Sequence, residues 1–221
     1  MEQVTFKDIK KSKEVNAYIY KGNSTLGVLG YTDHSAEHAV KVSSMAGKIL
    51  ECLGYSGHTV ELAKIAGYMH DIGNCVNRLD HPHSGALMAH QMLRDMKMDY
   101  EDIAVIINAI GMHDEKSGGA VDTVSAALIL ADKTDVRRDR VRNQNKAAFD
   151  KHDRVNYAVV SSSLDIQKEK KVIKLDLQLD ENICSMMDYF EIFLQRMLMC
   201  RRAASVLGTT FKLNANGNKI C

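Results

Sequence analysis

Two of the most apolar stretches in the chain, LAKIAGYM at 62–69 and VSAALILA at 124–131, run directly into acids: His70-Asp71 and Asp132. A helix that is apolar on nearly every side belongs inside a bundle. A carboxylate at its end is carried toward the interior, where an unpaired charge costs several kcal/mol. The fold must therefore supply a cation at that place, from a basic side chain or a metal.

The rest of the sequence agrees with a helical bundle. Pro82 is the single proline, there is no Trp, and aromatic residues make up only 6%, so long runs of helix-compatible residues go uninterrupted. With 221 residues, 45% hydrophobic and 26% charged, the chain reads as one sizeable domain with an appendage and can bury a real core. A formal charge of +1 gives no reason to expect a chain-wide attraction to nucleic acid, so any polyanion contact is local. No window approaches the ~18–20 apolar residues of a membrane span, and MEQVTFKDIKKSKE lacks the apolar core of a secretory signal. These features place the protein in the cytosol, away from membranes. The five cysteines form no CxxC pair and read as reduced, mostly buried thiols.

Hydrophobic period divides the chain at 1–24, a helical N-terminal segment; 25–147, a helical domain; and 148–221, an α+β subdomain. In the second region Asp33 is read as the cap of a helix reaching Leu53 and stopped by Gly54, and 56–59 as the start of another. Asp99 caps a helix with Ile103, Ile106, Ile107 and Ile110 on one face; Asp122 caps the central apolar helix. In the third region, strands are expected over 155–165 and 171–180, the latter with Ile173, Leu175, Leu177 and Leu179 inward. A helix with a Met and Phe stripe (Ile183, Met186, Met187, Phe190, Phe193, Leu194, Met197, Leu198) and a short strand near 211–214 complete a β-β-α-β order, with Gly208 stopping the helix. The stripe is read as core and not as a cofactor pocket.

Histidines fall at matching places. His38 shares a helix face with Val42, Met45 and Ile49; His81 opens a helix at HPHSGA; His113 closes the isoleucine-faced helix at GMHDE. Five segments each deliver a nitrogen or oxygen donor toward one interior. The HExxH zincin pattern is absent, and the spread is that of a metal site built between facing helices. Four imidazoles with two carboxylates suit manganese, iron, cobalt, nickel or zinc better than magnesium or calcium; iron or manganese is the expectation.

The order of HAVKVSSMA at 38–46, GYMHDIG at 67–73 and LILADK at 128–133 resembles the HD superfamily of metal-dependent phosphohydrolases. The resemblance covers about residues 30–145. HPHSGA at 81–86 and AIGMHDE at 109–115 resemble two further elements, found in small bacterial members that hold two metals. By this resemblance the ligands are His38, His70, Asp71, His81, His113 and Asp132, Asp71 bridges two ions, and the substrate is a small, nucleotide-like phosphoester or phosphoanhydride. GMHDEKSGGA has Asp114 where the cyclic-dinucleotide phosphodiesterases carry a second histidine, and it lacks their GYP, which argues against a cyclic dinucleotide.

Each of these residues also has a plain reading, since one histidine at a helix end is more often a cap or a surface residue than a ligand. His34, one helical turn before His38, is read either as a ligand or proton carrier or as a first-turn residue. His83 is the alternative to His81. His152-Asp153 lacks an apolar run before it and is read as local structure, and His58 and His90 as surface. The basic stretch 133–146 is either a solvated helix face or a phosphate site using Lys133 with Arg137 or Arg138; Arg78 is a further phosphate candidate. Asp71, Lys133, Asp114 and His34 are the catalytic candidates. Two other classes keep the same ligands: an HD-fold diiron oxygenase, and a non-catalytic protein that senses metal or ligand. The edge strands and amphipathic helix of the appendage allow a homodimer.

Overall fold

The structure, a computed structural model, describes residues 4–221. The helical segment expected at 1–24 therefore begins, at 1–3, outside the described residues. Two helices follow, α1 (Phe6–Lys11), capped by a Thr5–Asp8 box, and α2 (Lys13–Val28), capped by Ser12.

Helix α3 (Ala36–Leu53) starts after Ser35 and not at Asp33. The Asp33 carboxylate accepts from the Ser35 backbone N and hydroxyl at 3.2 and 2.6 Å, closing a side-chain turn that ends the loop before the helix opens. Gly54, at φ 87°, stops α3 as expected. Ser56 caps α4 (Gly57–Met69), which lies along α3. At Gly67 the two helices approach so tightly that a Cβ would stand 2.8 Å from Ser43 Cα. Only glycine allows that approach, and it sets the end of α4, with His70, beside His38.

A 3-10 turn (Ile72–Cys75) then packs against the start of α5 (His81–Asp95), where Pro82 supplies a helical φ in the first turn. Asp99 caps α6 (Tyr100–Gly111); Ile103, Ile106 and Ile110 are buried and Ile107 partly so. Helix α7 (Thr123–Lys133) is held by a capping box between Asp122 and Ser125, and its residues 124–131 are all buried. It packs against α3, α4 and α6, and against α9 (Met186–Val206). The fold is mainly α, with a small C-terminal α+β part.

In that part the strand expected from 155 begins at Val159. Asp150 caps an intervening helix, α8 (Lys151–Ala158), accepting from Asp153 N at 2.7 Å, and Val155 and Ala158 are buried at helical spacing. His152-Asp153 sits in its first turn and joins none of the histidine and acid groups, among the described residues, that could hold a metal. Strand β1 (Val159–Gln167) pairs antiparallel with β2 (Val172–Leu179), Leu164 opposite Leu175. β3 (Thr210–Ala215) lies parallel to β2, Ile173 opposite Phe211, which requires a crossover that α9 provides. A short β4 (Asn218–Lys219) closes the edge.

On α9 the buried face is rotated from the expected stripe. Tyr189, Phe193, Met197, Cys200 and Ala203 are buried, whereas Met187 and Leu194 are exposed. Residues 134–150 form irregular chain with 3-10 turns at Arg138–Arg140 and Lys146–Ala148, so the basic stretch after α7 is no helix face. Cys184 and Cys200 are buried, but Cys52 and Cys221 are exposed, contrary to the expectation of mostly buried thiols. Among the described residues no helix is long and apolar enough to cross a membrane.

Candidate metal centre

The ends of α4 and α7, the inner face of α3, the start of α5 and the turn after α6 meet at one place. There the side chains of His38, His70, Asp71, His81, His113 and Asp132 come together, the four histidines buried and the two acids partly so. Asp71 is at the middle. Its Oδ2 faces His70 Nε2 at 3.1 Å and His38 Nε2 at 3.7 Å; its Oδ1 faces His81 Nε2 at 3.4 Å and His113 Nε2 at 3.9 Å. Asp132 Oδ1 lies 3.5 Å from His38 Nε2 and 3.7 Å from His70 Nε2. Donors that share one ion at ~2.1 Å stand roughly 3.0–3.4 Å apart, so these spacings are close to those of a shared coordination shell.

The histidines are also held in the correct tautomer. Each turns Nδ1 toward an acceptor: Asp135 Oδ2 for His38 (2.8 Å), Gly67 O for His70 (2.8 Å), Arg78 O for His81 (3.0 Å) and Ile110 O for His113 (2.6 Å). With the proton placed on Nδ1, the Nε2 lone pair points into the centre, the arrangement that metal-ligating histidines use. Among the described residues the buried Nε2 atoms of His38 and His70 have no hydrogen-bond partner, which is costly for a polar atom unless a cation takes its lone pair. The donor set therefore fits divalent transition metals. Three groups among the described residues meet a shared-ligand geometry: His38, His70 and Asp71; His70, His113 and Asp132; and Asp71, His81 and His113.

Electrostatics follow from burial and crowding. Burial opposes charge on His70, but Asp71 and Asp132 outweigh it and hold its pKa up to about 10. Burial pushes His113 and His34 well below the usual histidine range. For Asp71, burial is overcome by the surrounding imidazoles, His70 first, and its pKa lies well below the carboxylate range. For Asp132 the same result comes from Lys133 and then His38 and His70.

The other expected residues divide. His34 precedes α3 instead of lying on it, yet its Nε2 reaches 3.9 Å from Asp71 Oδ2, with Nδ1 turned to Thr32 O at 2.7 Å. Arg78 stands at the rim, Nη1 4.0 Å from Asp71 Oδ1 and 3.3 Å from His81 Nε2, with its guanidinium over the Tyr31 ring. Lys133 is buried between Asp132 (2.8 Å) and Glu115 (2.9 Å), so its charge is committed to carboxylates. Arg137 is engaged by Asp135 and Asp139. Arg138 turns to Tyr157 O and Asp180 and stacks on the Tyr157 ring. Neither arginine is directed at the centre, because the chain after α7 is a loop whose acids hold them. Asp114 accepts from Lys116 N at 3.0 Å and caps the turn after His113. His83 is exposed beside Asp80, so His81 and not His83 joins the cluster. His58 pairs with Asp102 at 2.8 Å, far along the chain from these ligands.

Several members went unnoticed in the sequence. Asp135 orients His38, and Asn74 Nδ2 donates to Asp71 Oδ1 at 2.7 Å. Glu115 holds Lys133 together with Arg196 of α9, so the appendage reaches the acid at the end of α7. Asp135 and Asn74 each follow a ligand acid by three residues, a spacing that places them on the same turn and that a search for supporting groups would have caught. Arg196 carries no such signal, because its approach depends on how α9 packs.

Comparison with known proteins adds the following. An HD domain family model matches residues 35–155. The chain is 29% identical over 163 residues to an uncharacterised protein of Methanocaldococcus jannaschii, covering 63% of this chain and 62% of that one. It is 30% identical over 115 residues to ribonuclease Y of Enterococcus faecalis, covering 52% of this chain and 20% of that enzyme. Thus the chain spans less than two thirds of the first relative and about a fifth of the second. A solved structure described as a predicted HD superfamily hydrolase, from an uncultured Thermotogales bacterium, overlaps with a TM-score of 0.44 at 22% identity, over 57% of this chain and 68% of that one.

Proposed function

The chain belongs to the HD domain family, and from that footing we propose that it is a metal-dependent phosphohydrolase with two ions, cleaving a phosphoester or phosphoanhydride in a nucleotide-like substrate. The observation that carries this reading is the division of Asp71: one oxygen faces His38 and His70, the other His81 and His113. A carboxylate between two imidazole pairs is built to bridge. His38, His70, Asp132 and Asp71 would hold one ion; Asp71, His81 and His113 the other; iron or manganese suits this donor set.

When bound, such ions supply Lewis-acid activation of water and of phosphoryl oxygens near neutral pH. The chain's own groups do the rest. Arg78, partly exposed at the rim, is placed to pair with phosphate oxygens, since its planar fork can hold two at once. His34, whose Nε2 stands 3.9 Å from Asp71 Oδ2, is the side chain placed to take up or release a proton there. Lys133 acts through Asp132, fixing that carboxylate's rotamer and balancing its charge. The name ribonuclease Y on partial relatives supports phosphodiester chemistry as one direction to test.

The test compares wild type with His70→Ala/Asp71→Ala on phosphomonoesters, nucleotides, dinucleoside polyphosphates and a short RNA, with manganese, iron or cobalt, in air and under anaerobic conditions. Turnover of at least one substrate by wild type alone, without dioxygen, is expected. Equal activity in both proteins removes the reading. A strict need for dioxygen replaces it with an oxygenase.

A further inference from the structure

Behind His38, on the side of its Nδ1, a cavity of about 400 Å3 opens between α3, the end of α7 and β1. Val40, Met45, Ala131 and Leu164 give it an apolar lining, and Lys41, Lys48 and Arg137 stand around it with a single acid, Asp135. That acid is already engaged: Oδ2 faces His38 Nδ1 at 2.8 Å and Oδ1 accepts from Arg137 Nε at 2.7 Å. Lys41 pairs with Glu37 at 3.0 Å, while Lys48 has no acidic partner among the described residues. Arg137 is also held by Asp139, so Lys48 is the lining cation whose charge no carboxylate meets among the described residues. A volume of a few hundred Å3, apolar walls and a few converging polar groups are the features of a small-molecule site.

We propose that this cavity is a second binding site, for a small organic anion whose single phosphate or carboxylate pairs with Lys48, Lys41 and Arg137 and whose apolar body lies on Met45 and Leu164. It is separate from the metal centre but joined to it through Asp135, whose two oxygens face Arg137 and His38. An anion that draws the Arg137 guanidinium away leaves Asp135 more fully to His38, and a supporting carboxylate tunes the basicity of its histidine. Where His38 ligates metal, which rests on the function proposed above, occupancy here changes metal affinity. Metal then changes the anion's affinity by the same factor.

Calorimetry with two probes, adenosine 5′-monophosphate and octanoate, tests the site on the full chain. Wild type, Lys48→Glu and His70→Ala are titrated, each with and without manganese; Lys48 is exposed, so its reversal leaves the fold in place. At least one probe is expected to bind wild type saturably, to stay within about fivefold in His70→Ala, and to weaken by about tenfold or more in Lys48→Glu, as a like charge facing the anion requires. The probe that binds identifies phosphate or carboxylate as the preferred head. Binding that His70→Ala abolishes belongs to the metal centre and overturns the proposal; so does binding that Lys48→Glu leaves unchanged, or none in wild type. Equal affinity with and without manganese in wild type overturns the coupling alone, and it does so whether or not the protein proves to be a hydrolase.

Discussion

The two sides of Asp71 are built differently. On the Oδ2 side, His38 and His70 present buried Nε2 atoms without hydrogen-bond partners, and Asp132 faces both, anchored by Lys133. On the Oδ1 side, the Nε2 atoms of His81 and His113 stand 3.2 Å apart, and Arg78 comes within 3.3 Å of His81 Nε2. The first side has two carboxylates, no nearby mobile cation, and two buried Nε2 atoms without a hydrogen-bond partner among the described residues. The second has one carboxylate oxygen and a partly exposed guanidinium alongside it. Two imidazoles with half a carboxylate bind a divalent ion less strongly than two imidazoles with a carboxylate and a half, so the account expects a tight ion beside His38 and an exchangeable one beside His81.

Asp71→Ala attacks both sides at once. Activity should fall by about a thousandfold or more, the scale on which removing a main charge-stabilising element is felt, and both ions should be lost by elemental analysis. A variant retaining both ions would end the bridging assignment. His81→Ala should separate the sides, leaving one ion per chain, whereas His70→Ala should leave the protein with neither; equal metal content in the two variants would erase the distinction. Asp135→Asn acts only on the first side, through the Nδ1 of His38. A loss of about 10–100-fold in the tighter metal affinity is expected, the usual cost of a supporting partner, with the weaker site nearly unaffected.

Gly67→Ala should also act on the first side, because the added methyl meets the Ser43 backbone at 2.8 Å and must push α4 from α3. The expected loss is about 1–3 kcal/mol of folding stability, read by denaturant titration, the cost typical of overpacking. The smallest effect concerns Arg78→Ala, which removes the competing cation of the second side. That site should bind manganese a few-fold more tightly in the absence of phosphate, while KM for the substrate rises about tenfold, as loss of roughly 1.4 kcal/mol of phosphate contact implies. A weakened second site would show instead that Arg78 supports it.

The sequence made the first side legible for a physical reason. His70-Asp71 and Asp132 end runs so apolar that no exposed placement was open to them, and helical phase aimed His38 the same way. His81 was harder to separate from His83, two positions on, and packing of the Ile72–Cys75 turn against the start of α5 decides it. What could not be read was set by non-local contact. The strand expected from 155 yields to a helix because Asp150 caps it, and Val155 suits either state. Lys133, Arg137 and Arg138 carry the composition of a phosphate site, but Glu115, Asp139 and Asp180 claim their charge; Asp139 is two residues from Arg137, whereas Glu115 and Asp180 are distant in sequence and leave no periodic trace. The buried face of α9 departs from its apolar stripe for the same reason, since α7 and β3 both pack against that helix.

A crystal of the manganese-loaded protein, with anomalous scattering measured at the metal edge, tests the central claim most directly. Two peaks should flank the Asp71 carboxylate, one bonded by His38, His70 and Asp132 and the other by His81 and His113, about 3.5–4 Å apart. A lone peak bonded to neither Asp71 oxygen, or none near these six side chains, would contradict it.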